Sequence, residues 1–232
     1  MAEILNRQTE IIVFDWDGFL AQSLKVWLDA FRAEYMSHNL NPSNSEISAR
    51  FGHWEKAFGT DDANTIKAIS DGARVVAVPK LLNVELYEGA IETIKLVRAK
   101  RDSGAIGGFV LWTGSHLDAI REPLSHHGLT EMFDQVITRS DDVAAKPDPA
   151  AFDYIARMLG IECDPGQIVV FGDTNNDLLA AKAFDARSVL FLPPENLEIY
   201  GPDQITSFQA LEPTYTARSH ADVQRIILGI TS

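Results

Sequence analysis

The feature that most limits the possible folds of this chain is an alternation of short apolar segments with longer segments of helical periodicity. Five apolar segments rich in β-branched residues are too short for helices: Ile11–Phe14, Gly108–Trp112, Gln135–Thr138, Ile168–Phe171 and Ser188–Leu192. Apolar residues recur at helical spacing in Ala90–Lys100, His116–His127, Ala150–Leu159, Asn175–Phe184 and Ala221–Leu228. Strand–helix alternation is typical of parallel sheets with helices on both faces, so the sequence predicts an α/β fold with a Rossmann-like parallel sheet.

One region interrupts this alternation. Three helical patterns separated by polar turns occur in it: Leu24–Met36, Asn44–Phe51 and Ala63–Ala73. The region begins just after the first predicted strand, and open parallel sheets bind ligands at the carboxyl ends of their strands. We therefore expect a small α-helical domain, residues 23–84, over that edge, and a core domain formed by residues 1–22 and 85–232.

Prolines give two further expectations. Pro123 lies inside the His116–His127 pattern, so that helix should be kinked or should begin late. The stretch before the last helix is punctuated by four prolines, namely Pro193, Pro194, Pro202 and Pro213. We expect that stretch to be irregular.

An acidic pair follows the first predicted strand. Asp15 and Asp17 are two residues apart, so on extended chain both carboxylates can face the same side. Gly18 allows a sharp turn beneath a ligand. The alternative is an acidic turn that only closes the strand, since Asp and Gly are common turn formers.

Three other segments place polar groups after predicted strands. Asp173 and Asp177 follow the fourth strand, where capping of the next helix is the alternative role. Thr113 and Gly114 follow the second strand and offer a hydroxyl and an amide to an anion, although such a hydroxyl more often caps a helix. Lys146 lies in a loop that two nearby prolines stiffen, which could direct its side chain towards the same edge. The alternative is that Lys146 is an ordinary exposed lysine.

A parallel sheet would bring these four segments to one edge. Two acidic pairs can hold Mg²⁺ through oxygen ligands, and Mg²⁺ with Lys146, Thr113 and backbone amides can neutralise a phosphate. The formal net charge of -13 means that the average surface repels anions, so a phosphate site needs such local positive charge. We expect Mg²⁺ as the cofactor, and neither nucleic acid nor a membrane as a partner.

Few features of the sequence bear on the cellular compartment of the protein. Cys163 is the single cysteine and cannot form an internal disulfide, which favours a reducing compartment. Met1–Glu10 is polar, and the apolar run after it is too short for a signal peptide or a membrane span. We expect a cytoplasmic protein.

The order of these motifs resembles that of the haloacid dehalogenase superfamily. The matching motifs are Asp15-x-Asp17-Gly18, then Thr113, then Lys146-Pro147, then Gly172-Asp173-x-x-x-Asp177. The resemblance spans nearly the whole chain. It is closest to members with a helical cap after the first motif, such as phosphoglycolate phosphatases and β-phosphoglucomutases, with residues 23–84 as that cap.

The resemblance implies a chemical role for the first motif. Asp15 would attack phosphorus to form an aspartyl-phosphate. Asp17 would protonate the leaving oxygen and then activate the water that releases phosphate. A carboxylate nucleophile divides one difficult displacement into two steps, and a second carboxyl can alternate as acid and base.

The resemblance also implies how metal and phosphate are held. Mg²⁺ would be bound by the nucleophile's carboxylate, the backbone carbonyl of the second aspartate in the first motif, and Asp173, with Asp177 in or near its shell. Thr113, Gly114 and Lys146 would grip the phosphoryl oxygens, and phosphoryl transfer depends mainly on such positioning and charge stabilisation.

Some positions bear on selectivity. Phe19 stands where relatives usually have a small Thr or Val, and Gln22 where many have Asp; Phe19 could narrow access, favour an apolar leaving group or pack under the cap. Related proteins carry substrate-selecting residues in this part of the cap, so Arg50, His53 and Lys56 are candidates for substrate binding. A solvated helix end is the alternative for these three.

The function expected from the resemblance is a Mg²⁺-dependent phosphatase acting on a small phosphorylated metabolite. A phosphomutase would use the same aspartyl-phosphate but pass it to a sugar hydroxyl. A phosphonate hydrolase would need a cap lysine, for which Lys56 or Lys67 could only be guessed, and a non-catalytic metal- or phosphate-binding protein is the alternative from another class. A dehalogenase is not expected because dehalogenases lack the acid corresponding to Asp17. Monomer and homodimer both remain open.

Overall fold

The computed structural model describes residues 10–51, 53, 55–162 and 164–229. Cys163, on which the expectation of a reducing compartment rests, lies outside these residues. None of the described helices combines the length and the apolar composition that crossing a lipid bilayer requires.

Six parallel strands form one sheet in the described part of the chain, in the order β3-β2-β1-β4-β5-β6. They are β1 Ile11–Phe14, β2 Gly108–Trp112, β3 Gln135–Ile137, β4 Ile168–Gly172, β5 Arg187–Phe191 and β6 Tyr215–Ala217. The register places Phe14 beside both Leu111 and Phe171, so the loops that follow β1, β2 and β4 leave the sheet at the same level. The predicted α/β fold with a parallel sheet is confirmed.

Helices cover both faces of this sheet, which explains why its central strands are uninterrupted apolar runs. Successive residues of β2 face opposite sides: Phe109 belongs to the buried cluster that includes Ile94 and Ile227, and Val110 belongs to the one that includes Phe152. The helices flanking the sheet are α4 Ala90–Asp102, α5 Leu117–His126, α6 Ala150–Leu159, α7 Asn175–Ala183, α8 Pro194–Leu197, α9 Pro202–Gln209 and α10 His220–Leu228.

The region predicted to be a cap contains three helices, α1 Leu24–Ser37, α2 Asn44–Ser48 and α3 Ala63–Leu81. Helices α1 and α3 pack along each other, and α3 also packs against α5. A small cluster of buried side chains joins the three helices, namely Leu28, Tyr35, Ile47 and Ile69.

The chain enters and leaves this region through two linkers that lie side by side. Ala21 forms an isolated antiparallel bridge with Leu86. The backbone N–H of Gln22 donates to the carbonyl of Glu85 at 2.9 Å, and its side-chain amide donates to the carbonyl of Leu86 at 3.1 Å. Gln22 therefore joins the two linkers, whereas the division into two domains at these points stays a prediction.

Two elements differ from the sequence patterns because their signals are weak. The edge strand β6 was not predicted, since it is only three residues long and only Ala217 in it is fully buried. Helix α3 continues past Ala73 to Leu81. Its buried residues Ala73, Ala77 and Leu81 recur every four residues, but intervening valines, which have low helix propensity, obscure the pattern.

Prolines act differently from the prediction in two places. The stretch before the last helix is not irregular throughout, because Pro194 and Pro202 begin α8 and α9. Proline suits the first helical position, where its missing N–H has no partner to lose. Helix α5 runs from Leu117 to His126 with Pro123 buried inside it, so the helix does not start late, and the alternative expectation of a kink stays a prediction.

Candidate active site

The candidate site lies where β1, β2 and β4 end, at the carboxyl edge of the sheet. Asp15 follows β1 directly, and its backbone N–H donates to the carbonyl of Phe171 at 2.9 Å. Gly18 has a φ of 74°, in the left-handed region, and a Cβ at this position would collide with the Asp173 carboxylate. Glycine is therefore needed both for the turn and for the close approach of the first and fourth motifs.

Three buried carboxylates converge at this edge. Asp15, Asp173 and Asp177 each place one oxygen within 4.8 Å of the others. Lys146 lies among them and its Nζ donates to Asp15 Oδ1 at 2.9 Å and to Asp177 Oδ1 at 2.5 Å. The Lys146 side chain is only 6% exposed and also lies 5.3 Å from the centre of the Trp112 ring. The structure thus brings the acidic and lysine motifs into direct contact.

The charges in this cluster do not balance, because one ammonium group faces three carboxyl groups. Burial raises the pKa of Asp15 to about 7, although the neighbouring Lys146 acts in the opposite direction. Burial also raises the pKa of Asp173 well above its ordinary value, and the charges of Asp15 and Asp177 add to this effect. Burial disfavours the charged form of Lys146, but Asp15 and Asp177 outweigh it and raise the lysine pKa. The lysine therefore stays charged, whereas Asp15 and Asp173 are shifted towards their protonated forms unless a further positive charge joins the cluster.

This arrangement fits a divalent cation. Asp173 Oδ1 is buried and has no hydrogen-bond partner among the described residues, which is costly unless a ligand pairs with it. Carboxylate oxygens are the donors that Mg²⁺, Ca²⁺ and Mn²⁺ prefer, and a cation would offset the excess negative charge. The Asp17 side chain is not part of this carboxylate group, so its predicted contribution remains that of its backbone carbonyl.

The Asp17 carboxylate is held by donors from two directions. Ser23 Oγ and Trp27 Nε1 donate to Asp17 Oδ1 at 2.5 Å and 2.9 Å, and both residues belong to the start of the helical region. On the other oxygen, Ser115 Oγ lies 2.6 Å and Thr113 Oγ1 3.4 Å from Asp17 Oδ2. Side chains from the predicted cap and from the loop after β2 therefore fix this carboxyl together.

A cavity of about 80 Å³ opens beside these groups. This volume holds roughly six water molecules at about 10–15 Å³ each, so it suits a small ligand. The predicted phosphate-binding residues Thr113, Gly114 and Lys146 all line it together with Asp15 and Asp17.

The opposite wall of the cavity comes from the helical region. Leu24, Trp27, Phe31, Arg50 and Phe51 line it. Arg50 Nε is buried and has no hydrogen-bond partner among the described residues.

The other two cap candidates are placed elsewhere. His53 Nδ1 lies 3.3 Å from Glu55 Oε1, and Lys56 is exposed. Neither residue lines the cavity, so of the three cap candidates only Arg50 is positioned to meet a ligand there.

The unusual Phe19 also lies away from the cavity. Its fully buried ring packs edge-on against Phe14 and Phe191, with centroids 4.9 Å and 5.2 Å apart. These ring contacts are with strands of the predicted core rather than with the predicted cap, and Phe19 is not among the residues that line the cavity.

Sequence patterns did not single out several residues of this site. Trp27 occupies an apolar position of an amphipathic helix, and Ser23 and Ser115 are ordinary polar residues beside motifs. Tyr200 donates to Asp173 Oδ2 at 2.6 Å from a stretch that was expected to be irregular. Of these residues, Ser115 could have been predicted from the sequence, because its hydroxyl follows Thr113 by two residues on the same turn.

Comparison with protein families gives a match to the haloacid dehalogenase-like hydrolase model over residues 9–185. A phosphoglycolate phosphatase of Haemophilus influenzae is 26% identical over 196 residues, which cover 77% of this chain and 84% of the relative. Phosphoglycolate phosphatase 1 of Pseudomonas aeruginosa is 33% identical over 195 residues, covering 78% of this chain and 69% of the relative.

Solved structures share the fold. A crystal structure described as a predicted phosphoglycolate phosphatase from Haemophilus somnus superposes with a TM-score of 0.69 at 22% identity, covering 94% of this chain and 98% of that one. A hydrolase from Pseudomonas syringae gives a TM-score of 0.77 at 18% identity, covering 96% of this chain and all of that one.

Proposed function

This chain belongs to the haloacid dehalogenase-like hydrolases and is a phosphatase of that family, and from this premise we propose that it hydrolyses a small phosphorylated metabolite through an aspartyl-phosphate, with Mg²⁺ as its cofactor. The observation that carries the proposal is the contact between Lys146 and Asp15 inside a buried group of carboxylates. An anionic nucleophile repels a phosphate dianion. The ammonium group beside Asp15 offsets that repulsion where the two must meet.

In the proposed first step, the Asp15 carboxylate forms a bond to phosphorus while the bond from phosphorus to the leaving oxygen breaks. The leaving oxygen takes a proton from Asp17. In the second step, Asp17 removes a proton from water, the water oxygen attacks phosphorus, and the Asp15 carboxylate is released with inorganic phosphate. Each step is one in-line displacement assisted by acid or base.

The hydrogen bonds of Asp17 assign the transferable proton to one oxygen. The Trp27 indole can only donate, so Asp17 Oδ1 must remain an acceptor. The hydroxyls of Ser115 and Thr113 face Oδ2 and can accept as well as donate. Oδ1 has one partner that can only donate, whereas both partners of Oδ2 can accept, and we propose that the proton given to the leaving group resides on Oδ2.

Asp15, Asp173 and Asp177 would hold the cation. When bound, it would neutralise charge on the phosphoryl oxygens. Thr113 and Gly114, which line the same cavity, would position those oxygens. Gly18 would keep the backbone clear beneath the phosphoryl group.

The cavity supports a small substrate with an anionic leaving group. Its volume of about 80 Å³ suits a small ligand. Arg50 adds a positive charge to the wall of the same cavity. Phosphoglycolate, which gives several relatives their names, combines small size with a carboxylate, and we propose this class of substrate.

The direct test measures phosphate release from p-nitrophenyl phosphate and from a panel of metabolites that includes phosphoglycolate. We expect release with Mg²⁺, none above background with a chelator, and none from the Asp15→Asn variant. Acid quenching during turnover of ³²P-labelled substrate should trap label on the protein. Hydroxylamine should then remove this label, as expected for an acyl phosphate. Equal release by the wild-type and Asp15→Asn proteins on every substrate would refute the proposal.

A further inference from the structure

A buried tyrosine contacts the carboxylate cluster from outside. Tyr200 OH donates to Asp173 Oδ2 at 2.6 Å, and Tyr200 is only 2% exposed. A short hydrogen bond from a hydroxyl to a carboxylate oxygen is among the stronger neutral–charged contacts in proteins. It engages one of the two carboxylate oxygens of Asp173 directly.

Asn196, the third residue of α8, contacts the same carboxylate. Its Nδ2 donates to Gly18 O at 2.8 Å and lies 3.4 Å from Asp173 Oδ2. Tyr87 OH donates to Asn196 Oδ1, which fixes the orientation of the amide. One side-chain amide thus joins the turn of the first motif to the aspartate of the fourth.

The consequence for Asp173 is an unequal division of roles between its two oxygens. Oδ2 has Tyr200 and Asn196 as donors, whereas Oδ1 is buried without a hydrogen-bond partner among the described residues. A carboxylate held in this way presents a single oxygen, in a fixed direction, to a cation. Partners that orient ligands typically change metal affinity by about 10- to 100-fold when they are removed.

We propose that Tyr200 and Asn196 are positioning residues for the divalent cation, acting by holding the Asp173 carboxylate in its ligating orientation. The inference rests on the proposed metal-dependent function. It adds to that function a pair of residues outside the four motifs, supplied by the segment from Pro194 to Tyr200.

Contacts on the far side keep this segment in place. The Tyr200 ring packs edge-on against Phe208 of α9, with centroids 5.3 Å apart. Gln204 of α9 accepts a hydrogen bond from Ser48 Oγ of α2 at 2.8 Å. Helix α9, which follows the segment, is therefore anchored to the helical region, and the Tyr200 ring packs against it. These contacts restrain Tyr200 from moving with Asp173.

The test is Mg²⁺ binding to the full chain, measured by titration calorimetry without substrate. Tyr200→Phe removes one oxygen and keeps the ring, so we expect its Kd for Mg²⁺ to rise about tenfold or more. Tyr87→Phe is the matched control, because it removes a hydroxyl from the same network that contacts Asn196 rather than Asp173. Its Kd should change less than that of Tyr200→Phe.

Two further measurements separate positioning from general damage. The Mg²⁺ concentration that gives half-maximal phosphatase activity should rise in Tyr200→Phe by about the same factor as Kd, while kcat at saturating Mg²⁺ should fall less. Asn196→Ala serves as a second variant, and the rise in Tm on adding Mg²⁺ is compared with each variant's own metal-free Tm. A smaller Mg²⁺-induced rise in both variants supports the inference even where folding is weakened.

The contrary outcomes are distinct. A Tyr200→Phe protein that binds Mg²⁺ within about twofold of the wild type, in an enzyme that binds Mg²⁺ and releases phosphate, overturns the positioning role alone. A wild-type protein that neither binds Mg²⁺ nor releases phosphate overturns this inference together with the proposed function.

Discussion

Acidification should destabilise this protein through one buried histidine, His220. His220 is 1% exposed, and its Nε2 donates to the carbonyl of Phe19 at 2.9 Å, while Nδ1 lies 3.1 Å from Thr93 Oγ1. Burial lowers the pKa of His220 from 6.5 to about 4, because a charged imidazole loses its hydration there. The folded state therefore favours the neutral ring, and its stabilising effect is complete above pH 6.5.

The magnitude follows from the difference between these two pKa values. A depression from 6.5 to about 4 corresponds to about 3 kcal/mol of stability, since one pKa unit is about 1.4 kcal/mol. This contribution should be lost as the pH falls from about 6.5 through about 4, because the unfolded chain takes up the proton first. At pH 4.5 most of it, about 2.5 kcal/mol, should already be gone.

The assay is urea unfolding of the wild type and of His220→Gln at several pH values between 7.5 and 4.5. At pH 7.5 the variant should be less stable by about 1–3 kcal/mol, because a flexible amide replaces a buried ring that packs against Phe191 and contacts Thr93 Oγ1. Towards pH 4.5 this gap should close, since only the wild type carries the titrating ring. The same substitution at the exposed His126 is the control and should show no such convergence. Parallel stability curves for wild type and His220→Gln would refute the argument.

Three further predictions concern the site itself. Gly172→Ala would place a Cβ against the Asp177 carboxylate and displace it, so kcat/KM for phosphate release should fall by about 100-fold, with the melting temperature as the check on folding. Trp27→Phe removes a donor to Asp17, and its kcat should fall by about tenfold or more for an alkyl phosphate but less for p-nitrophenyl phosphate, whose leaving group needs no acid. Arg50→Met should lower kcat/KM for phosphoglycolate by about 10- to 100-fold and change that for ethyl phosphate little, so an equal loss on both substrates would exclude recognition of the carboxylate.

The fold and the carboxylate cluster could be predicted from the sequence, because both depend on which residues directly follow the apolar strand segments. Asp15 and Asp173 both follow directly after buried apolar runs, and parallel strands bring such positions to one edge. Lys146 could be grouped with them once the edge was defined. The roles of Asp15, Asp17 and the phosphate-binding residues remain predictions that the geometry accommodates.

Long-range contacts were not accessible in this way. Tyr200 meets Asp173 from a separate segment, and no periodicity marks a tyrosine whose ring is buried but whose hydroxyl binds a carboxylate. Trp27 has the same ambiguity, since an indole is apolar in bulk and carries a single donor. The choice of Arg50 over His53 and Lys56 depends on how the chain turns after α2, and side-chain type alone does not encode it.

The bridge between Ala21 and Leu86 means that the chain returns to the core beside the point where it left. Residues bridged in this way lie about 5 Å apart, a gap that a tight turn of two or three residues can close. An exchange of everything between them for a different excursion could keep the strands in place, but it would remove Ser23 and Trp27, the donors to Asp17 Oδ1. Any replacement would therefore have to supply its own donors to Asp17, because this one region both lines the cavity and orients the proposed acid.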